Sequence, residues 1–204
     1  MSTYDGTLII FSGPSGSGKD TVLNELLQKH DDVKLSISAT TRKPRENEVD
    51  GVHYYFISKE DFEKKIDDNE MLEYAVYGDN YYGTPKAPVD KWLTEGKTVI
   101  LKIEVQGAEK IRKMYPEALS IFIMPPSLAV LEKRIRGRQS EKEEDIIKRL
   151  SIAKNELERA CEYDFAVIND DLDDAVEDVA SIIKAEKLRY KNMKNIISEV
   201  KKDV

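Results

Sequence analysis

The 204-residue chain has one cysteine, Cys161, and only two histidines, His30 and His53, set far apart. Neither a disulfide framework nor a Cys/His zinc site can be built from that inventory, and a cytoplasmic location fits it best. Long apolar runs are missing as well. No stretch approaches the ~20 residues of a membrane span, and Met1 to Ile10 has neither the basic start nor the long apolar segment of a signal peptide. Nor is there an excess of positive charge. The 39 acidic and 32 basic residues give a formal net charge of -7, which disfavours nonspecific coating of nucleic acid. An anionic ligand must then be held where bases cluster locally. What remains is ordinary: 40% hydrophobic and 35% charged residues, as in a folded globular chain of one domain or a core with an inserted lobe.

Short apolar runs alternate with segments of helical period. Thr7 to Ser12 reads as a buried strand, and Val22, Leu23, Leu26 and Leu27 mark one face of a helix ending near Lys29. Leu35 to Ala39, Thr98 to Ile103, Ser120 to Met124 and Phe165 to Ile168 are further strand candidates, most of them followed by helical patterns. That alternation predicts a parallel α/β core with its sheet covered on both faces. Between Arg42 and Pro85 the texture changes: tyrosines cluster, a helix is expected over Lys59 to Asn69, and Gly78, Asp79 and Asn80 signal a hairpin. This stretch reads as an inserted α+β lobe. Leu128 to Glu162 is helical and, in its first part, basic, which suits a lid. The last helical pattern follows Asp170 and Asp171, with Val176, Val179, Ile182 and Ile183 as its buried stripe.

Gly13-Pro14-Ser15-Gly16-Ser17-Gly18-Lys19 fills the first seven positions of the phosphate-loop pattern, after a strand and opening a helix. Gly16 and Gly18 let the backbone turn its N–H groups around a phosphate, the helix start adds partial positive charge, and Lys19 supplies a mobile ammonium. The alternative is a glycine-rich turn with a surface lysine. Where the pattern ends in a Ser or Thr that helps hold magnesium, this chain has Asp20, followed by Thr21. Arg42 and Arg45, three apart, are suited to grip a second phosphate, because planar guanidinium forks bind oxyanions bidentately and tyrosine hydroxyls can complete the cage. Solvated loop charges are the other reading of that pair.

Taken with the loop, the segments Ser38-Ala39-Thr40-Thr41-Arg42-Lys43-Pro44-Arg45, Glu48-Val49-Asp50-Gly51-Val52-His53-Tyr54, Asn80-Tyr81-Tyr82-Gly83-Thr84 and Val105-Gln106-Gly107 resemble guanylate kinase, in order and spacing. The resemblance runs from Leu8 to about Ala185. It implies an α/β fold: a P-loop NTPase core with a parallel sheet (1–38, 89–126 and 161–204), an inserted GMP-binding lobe (39–88) and a helical lid (127–160). The implied reaction is phosphoryl transfer from ATP to GMP, with Mg2+ as cofactor, in guanine nucleotide recycling. ATP would meet Gly13, Pro14, Ser15, Gly16, Ser17, Gly18, Lys19, Asp20, Thr21 and Asn169, with Asp20 as the candidate magnesium ligand. Asn169 could instead cap the following helix with Asp170. GMP would meet Arg42, Arg45, Tyr54 and Tyr82 at its phosphate and Ser38, Glu73 and Thr84 at its base. A carboxylate that accepts from guanine N1–H and N2–H₂, beside a hydroxyl that donates to O6, would reject adenine. Glu104 is a further contact on the acceptor side. Lys19, Arg42, Arg134, Arg138 and Arg149 would carry catalysis, by spreading positive charge over the moving phosphoryl group; Arg136 and Arg159 are expected to be solvated.

The chain departs from the family pattern at three places. Asp20 is one; in Leu101-Lys102-Ile103-Glu104 the family has acids at both polar positions, whereas here they are Lys102 and the longer Glu104. Gln139 stands where a glycine often follows Gly137-Arg138. These departures keep two alternatives open: a guanylate-kinase-like scaffold domain that binds a nucleotide or a protein without turnover, and a related kinase with another acceptor. No nucleic-acid or membrane partner is expected, and the sequence leaves monomer and homodimer open.

Overall fold

The computed structural model describes residues 6–137, 143–189 and 192. In chain order the elements are β1 (Thr7–Ser12), α1 (Lys19–Lys29), β2 (Val33–Leu35), β3 (Ala39–Thr40), β4 (Tyr55–Phe56), α2 (Lys59–Asp67), β5 (Met71–Tyr77), β6 (Asn80–Pro85), α3 (Lys86–Thr94), β7 (Thr98–Lys102), α4 (Val105–Met114), β8 (Leu119–Met124), α5 (Leu128–Arg136), α6 (Glu143–Glu158), β9 (Phe165–Ile168) and α7 (Leu172–Lys187). The chain forms two compact units, Met1–Ile10 with Asp32–Ala118 and Phe11–Asp31 with Leu119–Val204.

In the first unit β2 pairs in parallel with β7, and β1 lies next to β7. Ile9 and Ile10 of β1 and Val99, Ile100 and Leu101 of β7 are all fully buried, the signature of parallel strands covered on both faces. Val105, Ala108 and Ile111 of α4 and Val89 and Leu93 of α3 complete that core. A second sheet in this unit runs in the order β4-β3-β6-β5. Its β5–β6 hairpin turns on Gly78 and Asp79, with Gly78 at φ 58 as a two-residue turn requires. Leu35 to Ala39, expected as one strand, is two: Ser36 N–H still donates to Ile100 O beside β7, whereas Ser38 O already accepts from Tyr55 N–H in the other sheet. The chain changes sheets within three residues, which a continuous apolar run does not reveal. The helix expected to reach Asn69 stops at Asp67, because Asn69 turns to φ 56 and its N–H bonds back to Ile66 O.

In the second unit β8 and β9 pair in parallel. Val22, Leu23 and Leu26 of α1 are buried, as are Ile121, Phe122 and Ile123 of β8. On α7 the buried stripe is Ala175, Val176, Val179, Ile183 and, unexpectedly, Glu186, whose carboxylate accepts from Arg189 Nε at 3.1 Å; Ile182 is only half-buried. The basic helical segment is two helices: α5 and α6 share a small core of Leu131, Ile135, Ile146 and Ala153. Among the described residues no helix is long and apolar enough to cross a membrane.

Candidate functional site

The glycine-rich loop of the second unit closes tightly over β8. Gly13 sits at φ 146 with room for no side chain, since a Cβ there would come within 2.2 Å of Ile123 O. Gly18, at φ 90, caps α1, and a Cβ on it would strike Asn169 Nδ2. The loop is therefore shaped by what glycine lacks. Ser17 is buried and its carbonyl is the point of convergence: it accepts from Asn169 Nδ2 at 2.8 Å and from Arg134 Nη1 at 3.2 Å. Arg134 Nη2 also donates to Asn169 O at 2.9 Å, and Arg149 Nη2 to Ser15 Oγ at 2.7 Å. Two guanidinium groups from α5 and α6 thus reach the loop expected to cradle phosphate. Lys19 folds its ammonium back onto Gly13 O at 2.5 Å and Pro14 O at 3.1 Å.

Several expectations change here. Asn169 does not cap α7; Asp171 does, accepting from Asp173 N–H and Asp174 N–H, because it is the residue directly before the first helical turn. Asp20 and Thr21 are both exposed at the start of α1. Arg138 and Gln139 lie outside the described residues. Arg136 is exposed and forks Glu143 at 2.7 and 2.8 Å, and Arg159 pairs with Glu162, so both arginines lie in surface ion pairs. Among the described residues no group of three or more His, Cys, Asp or Glu side chains could hold a metal by itself.

The first unit brings Arg42, Tyr54 and Tyr82 together. The Arg42 guanidinium lies 5.2 Å from the Tyr54 ring centroid and 5.7 Å from that of Phe56. Tyr54 and Tyr82 meet edge to face at 6.1 Å. Both prongs of the fork are engaged: Nη1 and Nη2 donate to Glu48 Oε2 and Oε1, each at 2.6 Å. Arg45 joins through its backbone, its N–H donating to Glu48 Oε2 at 2.7 Å, and its side chain is exposed. Sequence reasoning assigned Glu48 no role, although a carboxylate six residues after an arginine in a tight loop was the available signal. The fork and the Arg45 N–H hold the Glu48 carboxyl at about 2, below its ordinary 4.5. A carboxyl depressed in the folded state contributes stability above its unfolded value, and that contribution disappears as pH falls towards about 2. A carboxyl-carbon NMR titration should therefore show the Glu48 midpoint near 2; a midpoint near 4.5 would mean the fork does not persist in solution.

Glu73 and Thr84 face each other across β5 and β6, at a register shift between Met71 and Glu73 that re-aims the strand. Thr84, fully buried, donates its hydroxyl proton to Glu73 Oε1 at 2.8 Å. Burial pushes the Glu73 carboxyl up, and the negative Glu104 adds to this, while Thr84 and Lys110 oppose it. Glu104 itself is exposed at the N-cap of α4, Ser38 is half-buried where the chain changes sheets, and Lys102 is half-buried at the end of β7.

Comparison with known proteins shows the family. Residues 5–186 match the family described as guanylate kinase. Guanylate kinase of Clostridioides difficile (strain 630) is 49% identical over 199 residues, covering 98% of this chain and 97% of the relative. That of Synechocystis sp. (strain PCC 6803) is 50% identical over 186 residues, covering 91% and 97%. Among solved structures, guanylate kinase from Anaplasma phagocytophilum superimposes with a TM-score of 0.74 at 31% identity, over 93% of this chain and 90% of the other. A glycine-rich loop opening a helix, a caged guanidinium fork and near-half identity over almost the full length have one common explanation: the chain belongs to the guanylate kinase family.

Proposed function

We propose that the loop of the second unit binds ATP and the cage of the first unit binds the GMP phosphate, in the reaction ATP + GMP to ADP + GDP. The observation that carries this reading is the occupant of the cage. Arg42 and the Arg45 N–H already hold a bidentate oxyanion, the Glu48 carboxylate, at 2.6 to 2.7 Å. A phosphate presents the same pair of oxygens. Residues 39–88 then form the acceptor lobe, residues 127–160 the lid, and the rest the core. Glu73 and Ser38 meet the guanine, and the Thr84 hydroxyl turns from Glu73 towards O6 when the base arrives. Glu104 meets the acceptor from the start of α4.

No general base is required, because the GMP phosphate is already an anionic nucleophile. The chain's task is alignment and charge neutralisation. Lys19 releases Gly13 O and Pro14 O to reach the transferred phosphoryl group. Arg134 and Arg149, held at the loop through Ser17 O and Ser15 Oγ, lie ready to add their charge, joined by Arg138. Asn169 braces the loop and meets the ATP base. ATP and GMP are the partners, and a cytoplasmic location suits both these substrates and the exposed Cys161. A coupled ADP-release assay offering GMP, dGMP, AMP, UMP and CMP tests the reading. Turnover with GMP and dGMP alone supports it, and equal turnover with AMP overturns the guanine assignment.

Magnesium fits the residues present. It is held by one or two carboxylates together with substrate phosphates and waters, so the exposed carboxylate of Asp20, directly after Lys19, is an adequate protein donor. When bound with ATP it supplies charge neutralisation at the phosphate oxygens. Without the ion, the Asp20 carboxylate repels the triphosphate. ATP affinity should accordingly rise more steeply with free magnesium in the parent than in Asp20→Ser, and the variant should bind ATP more tightly when magnesium is removed. Calorimetric titrations across a magnesium series check this, and superimposable curves would show that Asp20 points away from the nucleotide.

A further inference from the structure

Helix α4 does more than close the core of the first unit. Its residue Gly107 lies against the carboxylate of Glu73: a Cβ built there would stand 3.1 Å from Glu73 Oε2 and 3.6 Å from Glu73 Cδ. That approach is tighter than nearly all real Cβ contacts, so a methyl group would push the carboxylate by a few tenths of an ångström. The backbone at Gly107 does not require glycine, since its φ is outside the left-handed region. In the first turn of a helix glycine is a poorer choice than alanine. Space for the carboxylate, rather than helix geometry, is what the missing side chain supplies. One turn further on, Lys110 projects from the same face and donates to Tyr74 O at 3.3 Å, with its ammonium 5.3 Å from the Tyr74 ring centroid. It thereby pins the backbone of β5 at the residue after Glu73.

We infer that Gly107 and Lys110 are positioning residues for acceptor selection: the first leaves room for the Glu73 carboxylate, and the second anchors its strand and places a cation beside it. This rests on Glu73 reading the guanine base. The charged groups acting on Glu73 are Lys110 and Glu104 of α4, in opposite directions, and β6 contributes the neutral Thr84 hydroxyl. Loss of Lys110 removes the stabilising member and leaves Glu104 unopposed. A carboxyl that must be ionised to accept two donors from guanine would then be harder to ionise.

The test uses the full chain in four variants, Gly107→Ala, Lys110→Met, Lys110→Arg and Glu73→Gln. In Gly107→Ala the KM for GMP should rise about tenfold, as small misplacements of a contact group do. Its kcat should stay within about threefold of the parent, and its melting temperature should be equal or higher, because alanine favours the helix. In Lys110→Met the Glu73 carboxyl midpoint, followed by its carboxyl-carbon resonance, should move up, through loss of a neighbouring cation. KM for GMP should rise in the same variant, and Lys110→Arg should restore both. A parent-like KM in Gly107→Ala, or an unmoved midpoint in Lys110→Met, overturns the assignment of that residue. The outcome for Glu73→Gln separates the levels. If it uses GMP normally, the base-reading site is misplaced and the inference falls with it; if it is crippled while the α4 variants behave like the parent, only the positioning role is lost.

Discussion

Glu73→Gln should lower kcat/KM for GMP by about 10² to 10⁴ while leaving the ATP dissociation constant within about twofold, the range expected when a site built to hydrogen-bond a substrate is left mispaired. The amide is almost the same size as the carboxylate, so it fits beside Gly107 and can still accept from Thr84 through its oxygen. With GMP bound and Thr84 turned to O6, the amide oxygen can accept from only one of guanine N1–H and N2–H₂, and its NH₂ faces the other, donor against donor. One buried unpaired donor costs about 1 to 3 kcal/mol, and the two facing donors, both left unpaired, account for the upper part of the range. Unfolding does not provide a competing explanation. Burial raises the Glu73 carboxyl above its ordinary 4.5, so its ionised form is a burden on the folded state as pH rises, and a neutral amide relieves it. The variant should melt no lower than the parent at neutral pH. Steady-state kinetics with GMP, calorimetry with ATP and a thermal melt decide the matter. Unchanged GMP turnover would mean that the Glu73–Thr84 pair is a structural link between two strands.

Arg42→Lys should raise the KM for GMP by about 10- to 150-fold, from one lost charge-assisted hydrogen bond of about 1.5 to 3 kcal/mol. Charge is conserved in this change and geometry is not. The guanidinium plane reaches both oxygens of Glu48 at 2.6 Å and stacks near Tyr54 and Phe56, whereas an ammonium offers one point of contact and no plane. The same loss should free Glu48, whose carboxyl midpoint is expected to climb from about 2 towards 4.5. Kinetics and the NMR titration on one variant therefore report on the substrate and on the resident carboxylate. GMP affinity at the parent level together with weakened ATP binding would move Arg42 to the donor side.

Much of the proposed donor site is legible in sequence because it is local. Strand, glycine loop, lysine and helix follow one another within β1 and α1, and Gly13 to Lys19 can be read as a unit. The end of α1 at Lys29, the strand Phe165–Ile168 and the Gly78–Asp79 turn are legible for the same reason: short-range periodicity and turn chemistry suffice. The family motifs extend that reading to Arg42, Tyr54, Glu73 and Tyr82, but they name partners without saying what each touches in the free protein.

By itself the sequence determined the α/β class, the glycine-rich loop and the residues proposed for two anion sites, since period, glycine placement and charge are properties of neighbouring residues. Only the tertiary structure decided how those residues are paired. The Ser17 carbonyl gathers Arg134 from 117 positions away and Asn169 from 152, and no pattern within a window of the chain encodes such a meeting. Glu48 fills the arginine fork because the loop folds back over six residues, and Gly107 makes room for Glu73 because α4 lies against β5. Each of these is a matter of space and of hydrogen bonds that must be satisfied once water is excluded, which chain proximity does not specify.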